Sequence, residues 1–87
     1  DIVLCVDVLE HVANYEKIIK ELLRVSKRYV IIHTHITPSM MKVIKPKPFY
    51  SIIYNIIDFE KTLKKEGAKR FKGFWINNKD RTYLIEK

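Results

Sequence analysis

The run Ile2-Val3-Leu4-Cys5-Val6, near the start of the chain, constrains the fold more than any other stretch. It is too short for a helix, rich in β-branched residues, and apolar at every position rather than at alternate ones. A strand that is apolar on both sides is expected to be covered on both sides, the habit of parallel sheets in α/β proteins. The run then breaks into Asp7, Glu10 and His11 before a helix begins near Asn14. In open α/β sheets the carboxyl ends of the strands border the ligand crevice, so these three side chains mark the first place to look for function.

The next segment reads as an amphipathic helix. Asn14 is a suitable N-cap, although Lys17 stands where a capping box would carry Glu or Gln. Ile18, Ile19, Leu22, Leu23 and Val25 recur at helical spacing, and charged residues fill the other face, Glu16 and Lys20 among them at i,i+4. Lys27 and Arg28 suit the negative pole of the helix. Tyr29 to Ile32 form a second short β-branched strand. Strand, helix and strand then make a βαβ unit with parallel strands and a right-handed crossover. His33, Thr34 and His35 are expected just past the second strand, sharing a crevice with Asp7, Glu10 and His11.

Residues 38–50 hold all three prolines and read as a long connection, since Pro46 and Pro48 forbid a regular helix or central strand there. A second helix is expected from Asn55 or Asp58 to Gly67, with Gly67 as its left-handed C-terminal residue. Phe71, Phe74 and Trp75 favour a strand over Lys69 to Ile76. Asn77 to Asp80 is turn chemistry, and Thr82 to Ile85 form a last strand, closing an antiparallel hairpin.

The opening DIVLCVDVLEHV, the helix ending ELLRVSK and the strand YVII together resemble class I S-adenosylmethionine-dependent methyltransferases. They correspond to the fourth strand, the following helix and the fifth strand of that family, with Leu-Glu-His and Leu-Arg-Val as the shared motifs. The similarity is detailed up to residue 36 and continues as an order of elements, C-terminal hairpin included. It implies an α/β fold: the C-terminal half of a Rossmann-like doubly wound sheet, with two parallel strands, a C-terminal antiparallel pair and helices between. Residues 1–87 would form one partial methyltransferase domain.

The resemblance also implies transfer of a methyl group from S-adenosylmethionine to an acceptor that the sequence does not name. Val6, Asp7, Val8 and Leu9 would lie beside the methionine part of the cofactor, largely through their backbone. His11 is the candidate catalytic base for an acceptor that must lose a proton. His33 and His35 are the candidates for contacting that acceptor. Some family members hold a divalent cation with an E-x-x-E-H arrangement. Asp7, Glu10 and His11 form a D-x-x-E-H version with no partner histidine, so no metal is assigned. The glycine-rich turn and the ribose-binding acid of the family have no counterpart, because the chain has only Gly67 and Gly73. Both features would lie upstream of Asp1. The chain is therefore expected to belong to a longer protein, and alone to bind the cofactor poorly and be inactive. The segment after the fifth strand often covers the active site in this family. Met40, Met41, Phe49 and Tyr50 would form such a lid or pack against the last helix.

At 87 residues the chain makes at most one small domain, burying roughly 60–65% of its unfolded surface. With 47% hydrophobic and 31% charged residues it is globular rather than disordered. A single cysteine, Cys5, excludes a disulfide framework within the chain and fits a reducing, cytoplasmic setting. No apolar stretch approaches the ~20 residues of a membrane span, and no signal peptide is recognisable.

The net charge of +7 is uneven: five acids and five bases up to residue 40, then five acids and twelve bases. The basic half keeps open a second reading, a non-catalytic α/β module that binds nucleic acid or a partner protein. Against it, Phe71, Phe74 and Trp75 alternate too poorly with basic residues to form a stacking platform along one strand. The first strand, if left with a bare edge, would also favour self-association with a second copy.

Overall fold

The computed structural model describes residues 2–12, 14–45 and 51–87, with the side chains of Glu10, Ile44, Lys45 and Ser51 outside that description. Strand β1 (Ile2–Val6) is followed by a 3-10 turn (Leu9–His11), helix α1 (Tyr15–Val25) and strand β2 (Tyr29–Thr37). Strands β3 (Lys42–Lys45) and β4 (Ser51–Asn55) precede helix α2 (Ile56–Lys65), and strands β5 (Arg70–Trp75) and β6 (Asp80–Glu86) close the chain. The result is a mixed α/β structure with a six-stranded sheet among the described residues.

The expected βαβ unit is present. β1 and β2 run parallel from Ile2 opposite Tyr29 to Val6 opposite His33. On its other side β2 pairs antiparallel with β6, from Tyr29 opposite Glu86 to His35 opposite Asp80, and β5 pairs antiparallel with β6 beyond it.

Two segments differ from the expectation of the sequence. β2 does not stop at Ile32: it continues through His33, Thr34 and His35 to Thr37, so both histidines lie within the strand. Tertiary pairing overrides their polarity, because β6 flanks them as far as His35 and β4 lies parallel to Ile36 and Thr37. Residues 38–50 are not one long connection either, since β3 forms within them and pairs antiparallel with β4. Ile52 and Tyr54 alternate into the core, giving β4 the period of a half-buried strand. Pro46 and Pro48 lie outside the described residues.

Both helices lie on one face of the sheet. Tyr15, Ile19 and Leu23 of α1 and Phe59 and Leu63 of α2 share a single core with Cys5, Val30, Ile32, Ile36, Tyr83 and Ile85. Tyr15, Phe59 and Tyr83 stack in series, with ring centroids 5.4 and 5.3 Å apart. Burying each such side chain contributes about 1.5–3 kcal/mol.

The other face is uncovered among the described residues. Ile2, Leu4 and Val6 are 58, 65 and 50% exposed, with Phe74 and Leu84 exposed farther along the same face. Contrary to the expectation of cover on both sides, β1 is covered among the described residues only on the side of Val3 and Cys5.

Helix ends divide in the same way. Asn14 occupies the N-cap of α1 without making a capping hydrogen bond, contrary to its reading from sequence. Asn55 does cap α2, its Oδ1 accepting from the Asp58 N–H at 3.0 Å. Gly67 ends α2 at φ +112°, as expected for a left-handed C-terminal residue.

On the helix side of the hairpin, the Arg81 guanidinium lies between the Trp75 and Tyr83 rings, 4.9 and 5.2 Å from their centroids. Gly73 makes room for it, because a Cβ there would collide with the guanidinium. The Arg81 head also faces Glu60 of α2 at 3.6 Å, and the Tyr83 hydroxyl donates to the same carboxylate at 2.8 Å. Burial pushes the Tyr83 phenol well above its ordinary range, and the Glu60 contact adds to the shift.

Candidate active site at the tip of the first strand

The chain leaves β1 through Asp7, whose φ of +56° is rare for a residue other than glycine. The Asp7 N–H still donates to the His33 carbonyl at 3.1 Å, extending the ladder by one bond before the backbone turns away. The turn brings its carboxylate to 3.9 Å from His33 Nε2. His33 is fixed from the other side, with Nδ1 2.7 Å from Thr82 Oγ1 on β6. Asp7 and His33, expected to converge from adjacent strand ends, do converge.

His35 lies two residues farther along β2 and looks toward β6. Its Nδ1 is 2.5 Å from Asp80 Oδ1. Asp80 is held in turn by Asn77, whose side-chain amide donates to Oδ2 at 2.7 Å and whose Oδ1 accepts the Lys79 and Asp80 N–H groups. The Asn77 hydrogen bond holds the Asp80 carboxyl below the ordinary carboxylate range; burial opposes it, and His35 and His33 add to the depression.

Beyond Asp7, Val6 and Val8 are exposed, whereas Leu9 is fully buried in the core. Anything Leu9 offers a ligand must therefore come from its backbone. His11 is exposed at the end of the 3-10 turn, its N–H donating to the Val8 carbonyl at 3.0 Å. The Glu10 side chain lies outside the description. Among the described residues, no three His, Cys, Asp or Glu side chains converge as a metal ion would require. Met40 and Met41 are exposed rather than packed against a helix, and Phe49 and Tyr50 lie outside the described residues.

One residue important to this geometry has no mark in the sequence. Tyr54 on β4 is buried against Tyr15, and its hydroxyl donates to the Leu9 carbonyl at 2.8 Å and to that of Val12. It thus pins the loop from β1 to α1 from below. Thr82 and Asp80 were equally hidden, because their partnership with the histidines depends on the β2–β6 register.

The arrangement is an exposed shelf: a strained aspartate and two immobilised histidines, beside a loop held by a buried tyrosine. No protein-family model and no curated protein matches the sequence. Solved structures do match in fold. The N-terminal domain of EvdMO1, crystallised with SAH and D-fucose, superposes on 99% of this chain with a TM-score of 0.71 at 17% identity. The same domain with SAH bound gives 0.70. A candidate O-methyltransferase from Nostoc punctiforme PCC 73102 superposes on the whole chain with a TM-score of 0.73 at 16% identity. The chain spans 46, 44 and 31% of these three structures, less than half of each. Shared along its whole length with these structures, the fold is class I S-adenosylmethionine-dependent methyltransferase-like.

Proposed function

We propose that this chain is the C-terminal portion of an S-adenosylmethionine-dependent methyltransferase domain, acting in the cytoplasm on a small-molecule or macromolecular acceptor. The observation that carries the reading is that the methyltransferase-like fold and the Asp7–His33 convergence coincide at one strand tip. In this arrangement β1 and β2 are the middle of a doubly wound sheet, and the rest of the domain supplies the cover for Ile2, Leu4 and Val6.

The residues present fit one wall of a cofactor site. The left-handed turn at Asp7 and the exposed Val6 and Val8 offer backbone and apolar surface to a bound ligand. No glycine-rich cradle accompanies them, so the chain alone binds S-adenosylmethionine poorly. When bound, that cofactor supplies the electrophilic methyl group. The chain's own residues hold and orient the partners, which is where much of the catalysis of an in-line displacement lies. His33 and His35, fixed by Thr82 and Asp80, present their rings to the acceptor, and His11 takes its proton where one must be lost.

The test uses the longer protein that carries this chain. Calorimetry should show SAH binding by that protein and none measurable by the 87-residue chain. His11→Ala should slow methyl transfer while cofactor affinity stays within about twofold, the pattern of a group that acts on the reaction rather than on binding. Failure of the longer protein to bind SAH would overturn the assignment, and unchanged turnover of His11→Ala would remove His11 from the chemistry.

A further inference from the structure

The opposite end of the sheet, where β2 and β5 begin and β6 ends, holds an open cavity of about 610 Å³. Lys64, Lys69, Arg70 and Lys72 wall it, and Tyr29 and Leu84 contribute its apolar surface. It shares no residue with the shelf at Asp7, and its Tyr29, Lys72 and Leu84 lie on the same open face of the sheet as Ile2 and Leu4.

Its charge is unbalanced. Glu86 is the single acid on the wall, and Arg70 occupies it, with Nε and Nη2 2.7 and 2.6 Å from Oε1. Lys64, Lys69 and Lys72 form no ion pair with a carboxylate among the described residues. The Arg28 guanidinium, 5.2 Å from the Tyr29 ring centroid, adds a further positive charge beside the cavity. Three unpaired ammonium groups around one hollow repel each other and gain from a ligand with several negative charges. The apolar surface between them asks that the same ligand carry flat, poorly hydrated groups.

A single strand of nucleic acid meets both requirements, with phosphates for the lysines and bases for the rings. An acidic peptide supplies only the charge, and a bilayer surface is poorly suited to a concavity. The sequence hid this site because its parts alternate along no single strand. Tyr29 comes from β2, Leu84 from β6 and Lys72 from β5, assembled by the pairing of those strands.

We propose that this cavity binds single-stranded nucleic acid, with Lys64, Lys69 and Lys72 taking phosphates and Tyr29 holding a base. Fluorescence anisotropy of a fluorescein-labelled oligouridylate, titrated with the longer protein that carries this chain, tests it. Binding should be saturable at low salt and, with three phosphate contacts, should weaken about 20-fold between 50 and 200 mM salt. Joint replacement Lys64→Ala, Lys69→Ala, Lys72→Ala should lower the slope of log affinity against log salt by about 2. A control set, Lys17→Ala, Lys20→Ala, Lys79→Ala, carries the same change in charge elsewhere and should bind like the parent. Tyr29→Ala should weaken binding about fivefold or more, with Tyr29→Phe restoring it. Circular dichroism melts would establish that each variant is folded. Absence of saturable binding, equal weakening by the two lysine sets, or equal affinity for polyphosphate or phosphatidylserine vesicles would each overturn the proposal.

Discussion

Tyr54 shows how much one hydroxyl can organise. It is buried, and it serves two carbonyls of the turn between β1 and α1. Tyr54→Phe keeps the ring packing and removes the hydroxyl from both carbonyls, leaving that of Leu9 only the Val12 N–H, which should cost about 1–3 kcal/mol in urea unfolding. A loss below about 0.5 kcal/mol, under the usual net value of one hydrogen bond, would mean that water replaces the hydroxyl freely. Asp80 makes a pH prediction. Its carboxyl is depressed in the folded state, so the stability it contributes is present above the ordinary aspartate pKa of about 3.9 and is lost as pH falls through the lower folded value. Asn77→Ala removes the largest cause, so the acid transition followed by circular dichroism should move to higher pH, and His35→Ala should move it less. Of these residues Asp7 was legible in the sequence, because it interrupts an apolar run. Tyr54, Thr82 and Asp80 were not, since their roles arise from contacts between residues more than forty positions apart.

Among the elements, local signals located β1 by its apolar run, α1 by its periodicity and α2 by its asparagine start and Gly67 end. They located the final hairpin by its aromatic and turn residues, and they failed where pairing overruled them. The His-Thr-His segment reads as polar punctuation, yet β6 and β4 draw it into β2. β4 escaped notice because it is short and follows a stretch dominated by prolines. Two asparagines placed alike before helices behave differently. Asn55→Ala should destabilise the fold by about 1 kcal/mol, the usual loss for a bonded N-cap, whereas Asn14→Ala should stay within a few tenths. Parallel thermal melts of the two variants would check this, and equal losses would contradict the distinction in capping geometry.

At the scale of the molecule, the described residues give a sealed side and an open side. β1 pairs with β2 alone among the described residues, and its outer face shows Ile2, Leu4 and Val6 to solvent. Apolar surface beside an unpaired strand edge favours association. In isolation the 87-residue chain should therefore scatter light in a concentration-dependent way. Leu4→Lys should reduce that scattering while changing the unfolding free energy by no more than about 0.5 kcal/mol, as for an exposed position. A clean monomer at all concentrations would contradict this. That both sides of β1 are apolar was legible from the first five-residue run, but which side this chain covers was not, because it depends on where the two helices come to rest.

The lone tryptophan gives the molecule a built-in optical probe. Trp75 lies against a guanidinium that Gly73 admits and Glu60 of α2 faces across the layer boundary. Its emission is thus coupled to the docking of α2 onto the hairpin, so loss of that docking registers as a spectral change without any added dye.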